Sequence, residues 1–130
     1  MNRCLLIIGI FLFSSCTSET TFDIFEAAGS WYCHETSNTN GDELLSYQVV
    51  IEPTGEYTCT IDNFTGESVK ISANVSDSWA ITIPEQKVDE EVYWGSGQVN
   101  IKKKTMQLTM AYRYGDITII ITSDCEKVEN

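Results

Sequence analysis

From Gly29 to Cys125 the chain alternates apolar and polar residues, with apolar side chains at every second position. A period of two is typical of β-strands that bury one face and expose the other. Turn-forming residues interrupt the alternation at several points, among them Asn38–Asp42, Pro53–Gly55, Asn63–Gly66, Pro84 and Gly115–Asp116. These breaks divide the segment into eight short strands, and the chain shows no convincing helical period and no internal repeat.

Eight strands with short connections predict one all-β domain, an up-and-down antiparallel barrel. Closing the sheet removes its two edges, which otherwise pair with other chains. Gly95 and Gly97 fall on the inward positions, where missing side chains relieve crowding as the sheet bends. A sandwich of two sheets would use the same strand pattern and is the alternative.

The N-terminal segment has a different pattern. Arg3 is followed by an apolar run of ten residues, Cys4–Phe13. That run is too short to span a bilayer, which takes about 20 residues, and is typical of a signal peptide. We therefore expect a signal peptide at residues 1–15, a lipidated cysteine and tether at 16–28, and the barrel domain at 29–130.

Phe13-Ser14-Ser15-Cys16 resembles the lipobox of bacterial lipoproteins, with small residues directly before the cysteine. The resemblance implies cleavage before Cys16 and a diacylglycerol on its thiol. Leu12 lies one position earlier than the leucine of most lipoboxes. We expect an exported protein anchored by this lipid in the cell envelope, with the outer membrane as its location.

Charge narrows the range of partners. Without Arg3, the mature chain carries 7 Lys and Arg against 19 Asp and Glu, a net charge of −12. A charge of that sign repels nucleic acid and anionic lipid, which excludes nucleic-acid binding. A strongly negative surface is compatible with a well-solvated monomer and with binding to a basic protein partner.

Three cysteines remain in the mature domain after Cys16: Cys33, Cys59 and Cys125. An exported chain meets an oxidising compartment, so we expect one disulfide and one free thiol. All three cysteines have inward parity. In a closed meander the last strand pairs with the first, which predicts a Cys33–Cys125 bond, since bonded Cα atoms lie within about 7 Å.

Catalytic groups are sparse. His34 follows Cys33, but neighbours on a strand point to opposite faces, so the two cannot form a thiol–imidazole pair. Asn38–Glu43 has only the beginning of a calcium loop, and no cluster has the spacing of transition-metal ligands. We expect no catalytic residue, no metal and no cofactor, and hence no enzyme.

The inward aromatic residues are the candidate ligand-facing set: Trp31, Tyr57, Trp79, Tyr93 and Tyr112. An eight-stranded barrel is only just wide enough for its own side chains, so a filled core is favoured over a ligand cavity. Trp94 has outward parity and is a candidate surface contact, beside Tyr32 or Phe64.

Gly29-Ser30-Trp31 resembles the Gly-x-Trp that opens the first strand of lipocalins and other calycins. In lipocalins a late basic residue packs over this tryptophan, and Arg113 is the candidate here. Four further stretches resemble small lipocalin-like lipoproteins of Gram-negative bacteria, which are mostly of unknown function: Tyr57–Ile61, Ile61–Gly66, Ile81–Gln86 and Trp94–Gly97.

A second resemblance is to lipid-anchored lysozyme inhibitors, small acidic β-barrels with similarly placed cysteines; compare Trp31–His34 and Ser123–Glu126. The sequence thus predicts a non-enzymatic, lipid-anchored protein that binds a small molecule, glycan or protein through the barrel mouth or loops. An inhibitor-like acidic binding module and a purely structural envelope component are the alternatives.

Overall fold

The computed structural model describes residues 21–129. The expected signal peptide and Cys16, the expected site of lipidation, lie outside the described residues. A 3-10 turn, η1 (Ile24–Ala27), precedes eight strands: β1 (Gly29–Asn38), β2 (Ser46–Pro53), β3 (Thr58–Phe64), β4 (Val69–Val75), β5 (Ala80–Val88), β6 (Glu91–Asn100), β7 (Thr105–Tyr114) and β8 (Ile117–Lys127). Within this part of the chain, no helix has the length and apolar character needed to cross a bilayer.

The strands form a closed barrel in chain order. Each strand pairs antiparallel with the next, and β8 returns to pair with β1. The predicted up-and-down barrel is therefore confirmed, and the two-sheet sandwich is not what forms. Cys33 of β1 lies directly opposite Cys125 of β8, and a disulfide joins them, while Cys59 is a buried free thiol.

The alternation along each strand sorts side chains between the core and the solvent. The burial pattern of β4, for example, alternates strictly after its first residue, with Ile71, Ala73 and Val75 inside. Large side chains fill the middle of the barrel, all less than 2% exposed: Trp31, Ile61, Phe64, Ile71, Tyr93, Leu108 and Met110. The core is thus packed with the protein's own side chains.

Two glycines let β6 and β7 approach closely. A Cβ atom added to Gly97 would lie 2.9 Å from the carbonyl oxygen of Gln107, and one added to Gly95 would meet the carbonyl oxygen of Thr109. Backbone atoms of a paired strand cannot move aside cheaply. The expectation that these inward glycines relieve crowding matches this geometry.

The two ends of the barrel differ. We call one end the mouth; the connections 39–45, 65–68, 89–90 and 115–116 form it. At the other, the plugged end, η1 packs Ile24 and Ala27 into the core. The indole Nε1 of Trp31 donates a 2.9 Å hydrogen bond to the carbonyl of Ala27, and Phe22 packs on Trp79 with ring centroids 4.6 Å apart. The segment before β1 therefore covers this end.

Candidate functional site

The mouth is acidic. Its four connections contain six Asp and Glu residues and no Lys or Arg: Asp42, Glu43, Glu67, Asp89, Glu90 and Asp116. The three consecutive lysines Lys102–Lys104 lie instead in a connection at the plugged end. The charge on the barrel is therefore distributed unevenly, and the mouth attracts cations more strongly than the plugged end does.

Glu35 is a charged residue on the inner face of the barrel. It follows Trp31 and Cys33 on the inward positions of β1 and is only 7% exposed. Its Oε1 accepts a hydrogen bond from the backbone N–H of Leu45 at 3.0 Å, and its Oε2 accepts one from the Tyr47 hydroxyl at 3.0 Å. Neither donor carries a positive charge, so the carboxylate is hydrogen-bonded without an ion-pair partner.

Ser123 lies beside this carboxylate. It is the cross-strand partner of Glu35 in the β1–β8 pair, so both side chains point into the barrel. Its Oγ is fully buried and makes no hydrogen bond. Buried hydroxyls are normally hydrogen-bonded, because leaving one unsatisfied costs about 1–3 kcal/mol. The Ser123 hydroxyl is thus an unused polar group next to Glu35.

Tyr47 completes the cluster from β2. Burial, reinforced by the charge of Glu35 and the hydrogen bond to it, raises the pKa of the Tyr47 hydroxyl well above its usual value, and the neighbouring Ser123 hydroxyl opposes part of that rise. The hydroxyl therefore stays protonated and acts as a donor to Glu35 at neutral pH. We call Glu35, Tyr47 and Ser123 the interior polar cluster. They lie on β1, β2 and β8, which are neighbouring strands in the closed barrel.

Two further tyrosines lie toward the mouth on β6 and β7. The Tyr93 hydroxyl donates a 2.6 Å hydrogen bond to Glu91, and the rings of Tyr93 and Tyr112 lie 5.7 Å apart. Burial, then the neighbouring glutamates, raises the pKa of both hydroxyls. Tyr93 is buried and Tyr112 is half-buried, so these rings form part of the boundary between the packed core and the mouth.

The rim of the mouth carries exposed apolar side chains. Leu44 and Leu45 precede β2, and Tyr114 and Ile117 flank the β7–β8 turn. These four side chains are 49% to 59% exposed. Single exposed apolar residues are ordinary, but groups of them near one opening are a common feature of interaction sites. The mouth therefore combines an apolar rim with a polar interior.

The aromatic residues predicted to face a ligand do not form one group. Tyr93 and Tyr112 lie near the mouth, whereas Trp31 is fully buried above η1. The inward placement of Tyr57 was wrong: this residue lies in the β2–β3 connection, is 44% exposed and stacks on Phe22. Trp79 was expected in the fifth strand, but it precedes β5 with a left-handed φ of 68° and packs at the plugged end.

Trp94 lies on the outer face, as its parity predicted, but its expected neighbours were wrong. Tyr32 lies edge-on to His34, and Phe64 is buried in the core. The guanidinium of Arg113 stands 5.4 Å above the Trp94 ring and also pairs with Glu85 at 3.3 Å. Arg113 therefore does not cover Trp31, the position that the lipocalin resemblance implied for it.

Two surface grooves of about 470 Å³ lie outside the barrel. One follows η1 and the β2–β3 connection and is lined by Phe22, Phe25 and Pro53 among others. The other crosses the outer faces of β6, β7, β8 and β1 and is lined mainly by polar side chains, including Gln98, Asp124 and Glu126. The first of these is the apolar rival to the mouth as a binding site.

Metal-binding and nucleophilic groups are not grouped in residues 21–129. No set of three or more His, Cys, Asp or Glu residues is placed to hold a metal ion. His34 faces outward with its Nδ1 2.9 Å from the Ser46 hydroxyl, and the neighbouring Cys33 sulfur is part of the disulfide. The interior polar cluster can accept hydrogen bonds and balance a positive charge, which is the chemistry of binding.

Comparison of the chain with protein-family models and with curated proteins gives no match. The candidate site therefore depends on its own geometry. Parity could have indicated Glu35 from the sequence, since it follows Trp31 and Cys33 at the next inward position. A carboxylate is rarely fully buried unless it is paired, so an inward glutamate is a signal of function.

Proposed function

We propose that this chain is a lipid-anchored, non-enzymatic envelope protein that binds a ligand at the mouth of its barrel. The observation that carries the proposal is the difference between the two ends. Phe22 and η1 cover one end, whereas the other has acidic connections, exposed apolar side chains and the buried, unpartnered Ser123 hydroxyl. Attachment to the outer membrane through Cys16 and a monomeric state belong to the same proposal.

The proposal is tested with the neutral apolar dye N-phenyl-1-naphthylamine, whose fluorescence rises when it enters an apolar site. Replacing Leu44 and Tyr114 with Asp adds charge to the rim, and we expect dye binding to weaken at least about tenfold, because each charge must be desolvated on contact. Phe25→Asp is the matched control, since Phe25 is 67% exposed at the plugged end. Loss of binding in Phe25→Asp alone would place the site in the groove along η1 and contradict the proposal.

An inhibitor-like module is the second candidate function, and the acidic connections at the mouth favour it. A basic enzyme such as hen lysozyme would be held there by charge, and the complex should persist at about 0.15 M salt, where screening is stronger than at low salt. The test compares co-elution of lysozyme with two variants of equal net charge. One carries amides at four mouth positions, Asp42, Glu43, Asp89 and Glu90, and the other at four wall or plugged-end positions, Glu52, Asp77, Asp124 and Glu126.

If the protein is an inhibitor-like module, only the variant with amides at the mouth should stop co-eluting with lysozyme. Equal loss in both variants would mean that lysozyme responds to overall charge and not to a docking surface. If both variants still bind lysozyme, the acidic connections at the mouth do not contribute to lysozyme binding.

A further inference from the structure

We infer that the ligand bound at the mouth carries a primary ammonium group, which docks between the Glu35 carboxylate and the Ser123 hydroxyl. This inference rests on the proposed function and specifies its ligand class. Three observations carry it: a buried carboxylate without a cationic partner, an adjacent buried hydroxyl without a hydrogen bond, and a mouth whose connections contain only acidic charges.

Within residues 21–129, the Glu35 carboxylate has no cationic partner. A buried carboxylate is costly unless it is paired, and hydrogen bonds from neutral donors offset only part of that cost. The Leu45 N–H and the Tyr47 hydroxyl are the two donors present. A cation arriving from the mouth would supply the missing charge. Glu35 keeps 7% of its surface exposed, whereas Ser123 is fully buried, so the ammonium must displace neighbouring side chains to reach the hydroxyl.

Glu35 and Ser123 together have several free acceptor positions. An ionised carboxylate offers about four lone-pair positions, and Glu35 uses one on each oxygen. The Ser123 oxygen adds two lone pairs on the neighbouring strand. An ammonium group has three N–H donors that point in different directions, which suits acceptors on two adjacent residues.

A primary ammonium fits these acceptors better than other cations do. A guanidinium binds best in a fork across both oxygens of one carboxylate, whereas the free acceptor positions here are divided between Glu35 and Ser123 on neighbouring strands. Calcium requires about six to eight oxygen ligands, more than the cluster provides. The apolar rim, with Leu44, Tyr114 and Ile117 exposed, would contact a hydrocarbon portion of the same ligand. The ligand is therefore an amphipathic primary amine.

Glu35 has a structural role as well, because it ties the 39–45 connection to β1. Its backbone N–H donates to the Leu45 carbonyl while its side chain accepts from the Leu45 N–H. A purely structural glutamate would affect stability but would not discriminate between ligands of different charge. Ligand selectivity is therefore the property that separates the two roles.

The experiment measures the affinity of n-octylamine, n-octanol and n-octanoate for the soluble domain by calorimetry at neutral pH, where the amine is protonated. These probes share a hydrocarbon chain and differ in charge. We expect octylamine to bind at least about tenfold more tightly than octanol, and octanoate to bind most weakly, because a hydrogen bond to a charged group is worth a factor of about ten or more.

Two variants and a control locate the effect. Glu35→Gln should abolish the preference for octylamine over octanol, and Ser123→Ala should reduce it about threefold or more while leaving octanol binding unchanged. Ser123→Ala removes a hydroxyl that makes no hydrogen bond, so no hydrogen bond is lost from the fold. This variant therefore still tests the ammonium site if Glu35→Gln fails to fold. Glu52→Gln, at an exposed residue on the outer face of β2, removes the same charge and should leave the preference nearly intact.

The results separate the inference from the function on which it rests. Equal binding of octylamine and octanol, or a preference that survives in both Glu35→Gln and Ser123→Ala, would overturn the ammonium site and leave mouth binding standing. Failure of all three probes to bind would overturn the ammonium site and remove support for a ligand-binding mouth.

Discussion

Cys33 and Cys125 stand directly opposite each other on the two strands that close the barrel, and their sulfurs are bonded. The bond joins positions 92 residues apart, so it links the first strand to the last. One inward step along the same strand pair stand Glu35 and Ser123. The disulfide therefore holds together the two strands that carry Glu35 and Ser123.

Removal of this disulfide should be costly. A loop of this length corresponds to about 4–5 kcal/mol in the chain-entropy description of disulfides. We expect a Cys33→Ala, Cys125→Ala double variant to lose free energy of unfolding of that order, measured by urea denaturation. Peptide mapping of the unreduced protein should show a Cys33–Cys125 crosslink with Cys59 free. A crosslink containing Cys59 would contradict the barrel closure.

Trp31 should be the most sensitive aromatic position at the plugged end. It is fully buried, and truncation of a large buried aromatic costs about 3–5 kcal/mol, so Trp31→Ala should lose that much stability. Trp31→Phe keeps most of the packing but lacks the donor to the Ala27 carbonyl, which is worth about 1 kcal/mol before packing losses. A loss under about 1 kcal/mol for Trp31→Ala would contradict its burial.

Cys59 should make stability depend on pH in the alkaline range. Burial raises the pKa of its thiol to about 11, against 9.0 for an unperturbed thiol. Since the folded state holds this proton more tightly, stability is unaffected by the thiol below pH 9 and falls as pH rises toward 11. This difference in thiol pKa between the folded and unfolded states corresponds to about 2–3 kcal/mol of unfolding free energy.

The matched variant for this prediction is Cys59→Ala. Urea unfolding at about pH 7 and about pH 10.5 should show a smaller alkaline loss in the variant than in the parent protein. The buried tyrosines Tyr47 and Tyr93 add to the alkaline loss in both proteins and cancel in the comparison. Identical pH profiles would show that the Cys59 thiol titrates normally.

Anchoring should depend on a single residue outside the described part of the chain. Replacing Cys16 with Ser removes the only thiol that the lipobox-like sequence offers for lipid attachment. We expect the variant to leave the membrane fraction, because one modified cysteine supplies the whole lipid attachment. Recovery of the Cys16→Ser protein in washed membranes would contradict a lipid anchor at this site.

The sequence predicts the barrel and its inner face because alternation operates throughout the strands. Val49, Ile71 and Leu108 are buried where the period of two puts them. The same rule predicts the disulfide partners once closure is assumed, since closure makes the first and last strands neighbours. The alternation along each strand and the assumption of a closed barrel were together sufficient to predict this part of the fold.

The same rule fails where the backbone leaves the extended conformation. Tyr57 and Trp79 each lie just before a strand, and Trp79 has a left-handed φ, so alternation no longer determines which way the side chain points. The interior polar cluster was missed for a different reason. Glu35 was not among the predicted site residues, although its parity is inward, because glutamates are rarely buried without a partner.

The measurement that tests the account most directly is the position of a bound amphipathic amine, read from intermolecular nuclear Overhauser effects with n-octylamine. Ligand binding at the mouth predicts contacts from the hydrocarbon chain to the rings of Tyr112 and Tyr114, and from the carbon next to nitrogen to Tyr47. Contacts confined to Phe22 and Phe25, in the groove along η1, would contradict it.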